Sequence, residues 1–232
     1  MTQLSHPDAE DLFPVSLSER AAAAATAKDA RRSEFLQAGI EVLAESGWQG
    51  TTMTKIAQRA SASKETIYAW FGDKSRFFEE LVSLRSAQLD EALGKSLEAN
   101  DGDLSAGLTA WGEVMLALLV GPQSIALHRA AIAEAGRADL GGHLVLGGRG
   151  ASLPRLARWL EAQTGVEIAQ EGHRGRLTLP DGALEAAEDY LALLKGDTQL
   201  LCLLDAAAPL PPSEIERRAR RATRLFLMLY AA

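Results

Sequence analysis

Apolar residues along this chain recur every three or four positions, which is the spacing of an amphipathic helix. No stretch alternates with the period of two that is typical of a strand, and no Asn-Gly hairpin signal is present. The pattern therefore predicts an all-α protein. Its first helix spans residues 28–46, where Gly47 provides a stop signal. The apolar positions of this helix are Phe35, Leu36, Ile40, Val42, Leu43 and Ala44.

Two shorter apolar stripes follow, on either side of the polar break Ser61-Ala62-Ser63. Helices of about two turns are not stable alone, so both need the first helix to pack against. Thr52 can cap the second helix, and Ser61 or Ser63 can cap the third. The short turn between them is typical of a helix-turn-helix module. The apolar positions are Met53, Ile56, Ala57 and Ala60 in the second helix and Ile67, Tyr68 and Phe71 in the third.

The rest of the chain is predicted to form longer helices. A linker helix carrying Leu81, Val82, Leu89 and Leu93 leaves the amino-terminal unit. Glycine and proline then separate further helices at 104–120, 123–135, 151–163 and 183–206, and a last one from Ser213. Ser213 and Glu216 fit a capping box. Residues 164–182 are predicted to form a loop in which Asp181 caps the next helix.

Three regions follow from this pattern. Residues 1–26 contain two prolines and several acidic side chains, and they predict a disordered arm that runs into the first helix. Residues 27–78 form the helix-turn-helix unit, and residues 79–232 form a helical body. The glycine cluster at 141–150 is not a phosphate-binding loop, because no strand precedes it and no lysine follows at the required offset. It indicates a turn or an interruption of a helix.

The helix-turn-helix segment resembles the TetR/AcrR family of bacterial transcriptional regulators. The resemblance implies an amino-terminal DNA-binding domain and a carboxy-terminal helical domain for ligand binding and dimerisation. Two positions depart from the family pattern: Ser61 replaces the usual glycine of the turn, and Glu65 stands where a small or neutral residue is common. The matching positions are Thr51, Thr52, Ile56, Ala57, Ala60, Ser63, Thr66, Ile67, Tyr68, Phe71, Lys74 and Phe77.

Several side chains of this unit are candidate DNA contacts. Lys64 and Thr66 lie early in the recognition helix, where side chains reach base edges, and the resemblance implies base or phosphate contact for Tyr68. Lys55 is placed to pair with a phosphate, and the amides that Thr52 caps form an anion-binding helix end that points the same way. Ser63, before the recognition helix, is a further candidate contact. Trp70 and Lys74 are expected to contact the DNA backbone. Glu65 can either stabilise the helix amino terminus or accept a hydrogen bond from a cytosine amino group.

Charge is unevenly distributed along the chain. The protein has 31 acidic and 24 basic side chains and a net charge of −7. Residues 20–80 contain nine basic and eight acidic side chains, a net charge of +1, so the remainder holds −8. This balance predicts a local DNA-binding face with modest phosphate contact and direct base readout, doubled by dimerisation.

No enzymatic site is predicted. The histidines His6, His128, His143 and His173 are scattered, and no two lie four residues apart on a helix as a shared metal would require. No catalytic set, metal or cofactor is expected. Cys202 lies in an apolar run and is predicted to be buried. No apolar run reaches the roughly 20 residues that span a bilayer, and the amino terminus is acidic, so a cytoplasmic protein is expected.

The helical body is expected to hold an effector and to form a homodimer. Few charged residues lie in its helices, which favours an apolar or aromatic small molecule. The segment 190–197, the Pro-rich turn after it and the final helix resemble the carboxy-terminal domain of a TetR subgroup. This resemblance implies that the last two helices pair across a two-fold axis in a four-helix interface. The ligand-contact candidates, each also compatible with the plain core, are Trp111, Met115, His128, Trp159 and Tyr190. The candidate dimer residues are Leu200, Leu204, Ala222, Leu225 and Leu229.

These observations predict a sequence-specific transcriptional regulator, most simply a repressor that a small molecule releases from a palindromic double-stranded DNA operator. The alternative is a dimeric helical protein that binds DNA or a protein partner without an effector. The arginines between 217 and 224 are not a second DNA site, because they surround the last helix and have glutamates beside them.

Overall fold

The structure is a computed structural model that describes residues 17–100, 102–135, 140–144, 150–165, 167–170, 173–205 and 209–231. Helices dominate the described residues, which confirms the predicted all-α class. The helices are α1 (Leu17–Gly50), α2 (Met53–Arg59), α3 (Lys64–Phe71), α4 (Lys74–Glu98), α5 (Leu104–Val120), α6 (Pro122–Ala133), α7 (Leu140–Leu144), α8 (Gly150–Ala162), α9 (Ala183–Lys195), α10 (Thr198–Leu203) and α11 (Pro212–Tyr230). A hairpin of β1 (Glu167–Gln170) and β2 (His173–Arg176) lies between α8 and α9.

The helix ends of the amino-terminal unit follow the predicted capping chemistry. Gly47 has a φ of 64° and interrupts the helical geometry of α1, as its position predicted. Thr52 caps α2 through a hydrogen bond from the Lys55 amide, and Ser63, rather than Ser61, caps α3 through the Thr66 amide. Ser61 instead has a φ of 50°. A backbone of this kind favours glycine, which explains the family preference at this position.

An aromatic core holds α1–α4 together. The Phe71 ring lies edge-on to Phe77 with centroids 4.8 Å apart, and Phe35 packs edge-on to Phe71 at 6.2 Å. Helices α1 and α4 approach closely at Gly39, where an added Cβ would lie 2.2 Å from the Phe77 ring. The amino-terminal unit therefore depends on tight contact between its first helix and α4.

A second core fills the helical body. Trp111 of α5, Tyr190 of α9 and Phe226 of α11 are completely buried in it, and the rings of Tyr190 and Phe226 lie edge-on at 5.6 Å. The described part of the chain contains no single helix long and apolar enough to cross a membrane; α5 and α6 reach that length only together, and they meet at a bend of 56°.

Helices α4 and α6 take part in both cores. The start of α4 lies in the amino-terminal core through Phe77 and Phe78, whereas Leu93 and Leu97 near its end lie in the body core. Residue Leu127 of α6 packs in the amino-terminal core. These two helices therefore connect the amino-terminal unit to the body.

Two backbone features differ from the sequence predictions. The predicted loop 164–182 contains the β hairpin, whose strands of four residues are too short to show a periodic pattern. Leu177 next to it is buried and bridges to Ala231 after α11. The predicted helix 183–206 is two helices, α9 and α10, because the chain turns at Gly196 with a φ of 47°.

Two predicted helix caps are absent. Gly182, not Asp181, occupies the position before α9, and no side chain caps that helix. Helix α11 begins at Pro212, one residue before Ser213, because proline is pre-organised for the first helical position. Glu216 bonds to Arg220 instead of closing a capping box.

The predicted arm and the glycine cluster lie partly outside the described residues. Residues 1–16 of the predicted arm lie outside the described residues, and from Leu17 the backbone is helical and continuous with α1. In the glycine cluster, 141 and 142 lie within α7, Gly150 begins α8, and 145–149 lie outside the described residues.

Candidate DNA interface and effector cavity

One side of α3 is buried and the opposite side faces solvent. Ile67 and Phe71 pack into the amino-terminal core, whereas Glu65 and Ala69 on the opposite side are exposed. Lys64 and Tyr68 lie together on one flank of the exposed face, with the Lys64 Nζ 5.6 Å from the centroid of the Tyr68 ring. Tyr68 is 42% exposed, which is unusual for a large aromatic side chain. The helix thus presents an ammonium group and an aromatic ring to solvent on a rigid support.

The first turn of α3 is ordered by hydroxyl groups. Ser63 Oγ accepts from the Thr66 amide at 3.1 Å, and the two hydroxyl oxygens of Ser63 and Thr66 lie 3.0 Å apart. Hydrogen bonds from the Glu65 amide and then from the Ser63 hydroxyl lower the pKa of the exposed Glu65 carboxylate. Glu65 is therefore engaged with the helix end, while its carboxylate still lies on the exposed face.

Lys55 and Thr52 lie at the start of α2. The Thr52 side chain is occupied as the cap, accepting from the Lys55 amide at 3.2 Å. Lys55 is exposed, and its Nζ lies 3.4 Å from the Ser46 hydroxyl. By contrast, the carboxylate of Glu45 and that of Glu41 pair with Arg59. Among the described residues Lys55 thus has a hydroxyl partner, whereas the neighbouring Arg59 has two carboxylate partners.

Lys74 and Trp70, which the sequence predicted to contact the DNA backbone, both contact residues of α1. The Lys74 Nζ donates to the Trp48 carbonyl at 2.7 Å and lies 3.7 Å from the Trp48 ring centroid. Burial lowers the pKa of Lys74. Trp70 is half-buried, and its ring lies edge-on to Phe35 at 5.3 Å. In this arrangement both side chains join α1 to α3 and α4, because their polar or aromatic groups are already engaged inside the protein.

A cavity of about 600 Å³ lies in the body between α4, α5, α6, α7, α9 and α10. Most of its lining is apolar, from side chains such as Leu89, Leu118 and Leu127. Among the predicted ligand contacts, Met115 and His128 line this cavity. Its size is within the range of pockets that enclose drug-sized molecules. The described residues therefore form a partly open, mainly apolar cavity of this size beside the connecting helices α4 and α6.

Trp111, Trp159 and Tyr190 do not line the cavity. Trp111 and Tyr190 are completely buried in the body core, and the Tyr190 hydroxyl donates to the Leu108 carbonyl at 2.6 Å. Burial raises the pKa of Tyr190. Trp159 packs against Gly107, where an added Cβ would lie 2.5 Å from the indole ring. In this structure the three large rings fill space between helices, away from the lining of this cavity.

The charged side chains that line the cavity are all positive among the described residues. The described lining residues include the cations Arg85 and Lys195 but no aspartate or glutamate. The His128 Nδ1 lies 2.8 Å from the Ser124 carbonyl oxygen, and its Nε2 lies 3.3 Å from the Gln199 side-chain nitrogen. The sequence analysis did not select Arg85 as a site residue. The pattern that could have indicated it is a single cation four residues from both Leu81 and Leu89, within the apolar stripe of the linker helix.

The predicted dimer residues divide into exposed and buried positions. Leu200, Leu204 and Leu229 are 56%, 66% and 67% exposed, which leaves them available to a second chain. Leu225 is half-buried. Ala222 is buried in the body core of its own chain, so its assignment to the interface is corrected. Met228, which is not among the predicted dimer residues, is also an apolar side chain on the surface, with 61% exposure.

Comparisons with known proteins agree with this architecture. Residues 35–81 match the model described as bacterial regulatory proteins, tetR family, and residues 106–232 match the AefR-like transcriptional repressor carboxy-terminal domain. The second match covers more than half of the chain. The chain belongs to the TetR family of bacterial transcriptional regulators, and the expected helix-turn-helix and helical-body organisation is confirmed.

Individual relatives are more distant. The chain is 33% identical over 82 residues to the uncharacterized HTH-type transcriptional regulator YvkB of Bacillus subtilis, covering 35% of this chain and 41% of that protein. It is 29% identical over 100 residues to the fatty acid metabolism regulator protein of Bacillus subtilis, covering 40% of this chain and 48% of that protein. The chain thus spans less than half the length of these curated relatives.

Solved structures cover more of the chain. A TetR-family regulator from Mesorhizobium loti has a TM-score of 0.75 at 24% identity and covers 88% of this chain and 98% of its own, which shows the shared fold. A TetR regulator from Agrobacterium tumefaciens has a TM-score of 0.63 at 26% identity, covering 87% and 94%. The flavonoid-responsive regulator FrrA has a TM-score of 0.61 at 26% identity, covering 88% and 98%.

Proposed function

We propose that this regulator is a homodimeric repressor, not an enzyme, that binds a palindromic operator through two α3 helices. A small molecule with an apolar or aromatic body would enter the cavity and release the DNA. The observation that carries the proposal is the continuity of α4, whose first turns pack under the recognition helix while its middle lines the cavity. Occupancy of the cavity can therefore act directly on the helix that supports the DNA-binding unit.

The exposed face of α3 supports base readout by a small number of side chains. Lys64 and Tyr68 are solvent-facing and close together, and Lys55 on α2 has no carboxylate partner among the described residues. An ammonium group can donate to guanine acceptors in the major groove, while a lysine beside a helix amino terminus can contact a phosphate. Lys74 and Trp70 would act indirectly, by fixing the angle between α1, α3 and α4.

Dimerisation supplies the second reading head. The exposed apolar side chains near the end of α11 and on α10, which include Leu229, Leu200 and Leu204, are suited to burial against a second copy. Two recognition helices that enter successive major grooves must lie about 34–36 Å apart. A ligand that stabilises a different spacing would lower operator affinity by its differential affinity for the two conformations.

Similarity to a regulator named flavonoid-responsive supports an effector for this chain as well. The apolar lining of the cavity favours a molecule with an apolar or aromatic body over a polyanion. An effector-independent DNA-binding protein has less support, because it would not require a cavity of about 600 Å³ next to its connecting helices.

The experiment that tests the proposal is footprinting of the purified protein on genomic fragments that include its own promoter region, at a fixed near-physiological salt concentration. We expect protection of a discrete palindrome. Lys64→Ala and Tyr68→Ala should each weaken operator binding about ten- to hundredfold without changing the oligomeric state. Lys95→Ala is the matched control, because Lys95 is an exposed lysine paired with Glu91 far along α4.

Two outcomes would contradict the proposal. Uniform protection of all fragments would indicate a sequence-tolerant binder. Full operator affinity in both Lys64→Ala and Tyr68→Ala would remove α3 as the reading element.

A further inference from the structure

Arg85 is a half-buried cation at the junction of three helices. It lies on α4, and its guanidinium donates to the side-chain oxygens of Gln88 at 3.1 Å, Gln37 of α1 at 3.3 Å and Gln123 of α6. All three acceptors are neutral amides. Burial lowers the pKa of Arg85, which shows that its surroundings disfavour the charged form compared with water.

Other arginines that join separate helices in the described chain have a carboxylate partner. Arg32 pairs with Glu80, Arg129 with Asp205, and Arg155 forms two hydrogen bonds with Asp90. Arg85 has no carboxylate partner among the described residues. A guanidinium group forms its strongest pairs with a carboxylate or phosphate, in a two-pronged geometry that amides cannot reproduce.

Arg85 is placed where a bound ligand could contact its guanidinium group. Its side chain lines the body cavity, and it also lines a surface groove formed with α1 residues including Gln37. A second cation, Lys195 of α9, lines the cavity, and none of the described lining residues is acidic. The remaining lining is mainly apolar, from residues such as Leu118 and Leu127.

We propose that the effector is an amphipathic acid, whose single carboxylate binds Arg85 and whose apolar body lies in the cavity between α4, α5 and α6. The inference rests on the proposed function, because it assumes that this cavity is the effector site. It names the chemical class of the effector and the residue that selects it. A carboxylic acid of ordinary pKa is ionised at neutral pH, so it supplies the counter-ion that the protein lacks at this place.

The same contact would connect the ligand to the DNA-binding unit. A carboxylate that engages the guanidinium in two hydrogen bonds competes with the amide oxygens that Arg85 now holds. Gln37 belongs to α1 of the DNA-binding unit, and Gln123 belongs to α6 of the body. Displacement of these amides would release a polar link between the unit and the body. Neutral molecules of the same shape would fill the cavity without acting on that link.

Calorimetric titration with matched acid and alcohol pairs tests the proposal. The probes are decanoate with 1-decanol and 2-naphthoate with 2-naphthalenemethanol, added to the full chain without DNA at pH 7.5. For at least one pair we expect the acid to bind about ten- to hundredfold more tightly than the alcohol, which is the range of one charge-assisted interaction. Arg85→Gln should abolish this preference. Arg85→Lys should keep part of it, because it retains the charge without the planar fork.

Arg76→Gln is the matched control, since Arg76 is an exposed arginine of α4 that does not line the cavity. It should leave the preference unchanged. Thermal unfolding of each variant verifies that it is folded, and Arg85→Lys provides the test if Arg85→Gln is not. Equal binding of acid and alcohol in both pairs, binding of neither member of either pair, or a preference that survives loss of the guanidinium would overturn the proposal.

The test separates this inference from the proposed function. Because the titration contains no DNA, a protein that failed to recognise an operator would still show the acid preference. A protein that protects a palindrome and releases it with a neutral compound, but shows no acid preference, would refute only the role of Arg85.

Discussion

The substitution Tyr190→Phe distinguishes a structural role of the buried tyrosine from an effector contact. The hydroxyl donates to the Leu108 carbonyl at 2.6 Å and lies 3.1 Å from the Thr223 hydroxyl, which in turn accepts from Thr109 at 3.1 Å. Tyr190 and Thr223 are buried in the body core. Phenylalanine keeps the ring and its edge-on contact with Phe226 but removes these hydrogen bonds.

The expected loss in free energy of unfolding depends on which of the former partners of the Tyr190 hydroxyl keep another hydrogen bond. The Thr223 hydroxyl keeps Thr109 as a partner, and the Leu108 carbonyl lies inside α5, where it can bond along the helix. The loss is therefore near the value of a net hydrogen bond, about 0.5–1.5 kcal/mol. For a chain of this size that corresponds to a decrease in Tm of about 1–6 °C. Differential scanning calorimetry at a fixed protomer concentration measures it, because dimerisation makes Tm depend on concentration.

Tyr68→Phe is the matched control. Tyr68 is 42% exposed, and its hydroxyl has no hydrogen bond within the described residues, so its removal should leave Tm unchanged. If Tyr190→Phe left Tm unchanged but weakened binding of decanoate or 2-naphthoate, the hydroxyl would face the ligand, and its placement in the core would be refuted.

Three further predictions concern the DNA-binding unit and α11. Gly47→Ala should destabilise the protein by about 1–2 kcal/mol, because Gly47 has a φ of 64°, and an unchanged or higher Tm would contradict this. Glu65→Gln should strengthen operator binding by less than about fivefold on all sequences, since it removes a charge that repels phosphate; in a binding assay with operator variants, an altered preference at one base pair would instead show that Glu65 reads the sequence. Hydrogen bonds from Arg217 and Arg218 hold the pKa of Glu214 at about 2 instead of 4.5, so wild type should exceed Glu214→Gln in Tm above pH 4.5, and the gap should close as pH falls towards 2. A gap that persists at pH 2 would contradict this pairing.

Much of the DNA-binding unit could be predicted because its information is local. Caps at Thr52 and Ser63 and the stop at Gly47 depend on residues within a few positions of one another. The use of Lys74 could not be predicted this way. Its partner Trp48 lies 26 positions earlier, and only the packing of α4 against the end of α1 brings them together. The sequence pattern around Lys74 does not distinguish a lysine that binds a DNA phosphate from one that donates to a backbone carbonyl.

The proposed effector cavity was harder to predict, because the size of an aromatic side chain does not indicate whether it lines a cavity or fills the core. Trp111 and Tyr190 are large enough to fill space, and in the structure they do fill it. The cavity lies where smaller or more polar side chains leave room, beside Arg85, Ser124 and His128. The more useful signal was Arg85, a cation within the apolar stripe of α4, because a half-buried cation requires partners and the described residues provide only side-chain amides.

Because α4 and α6 belong to both cores, an effector needs to contribute only a small free energy to change operator affinity. A tenfold change in operator affinity corresponds to about 1.4 kcal/mol, and an effector can supply no more than its difference in affinity for the two conformations. One charge-assisted hydrogen bond made in only one conformation is worth about 1.5–3 kcal/mol. An acid that binds Arg85 in only one conformation could therefore regulate DNA binding without rearranging the body core. Since Trp111, Tyr190 and Phe226 are tightly packed, a change confined to polar contacts between α1, α4 and α6 is the less costly route.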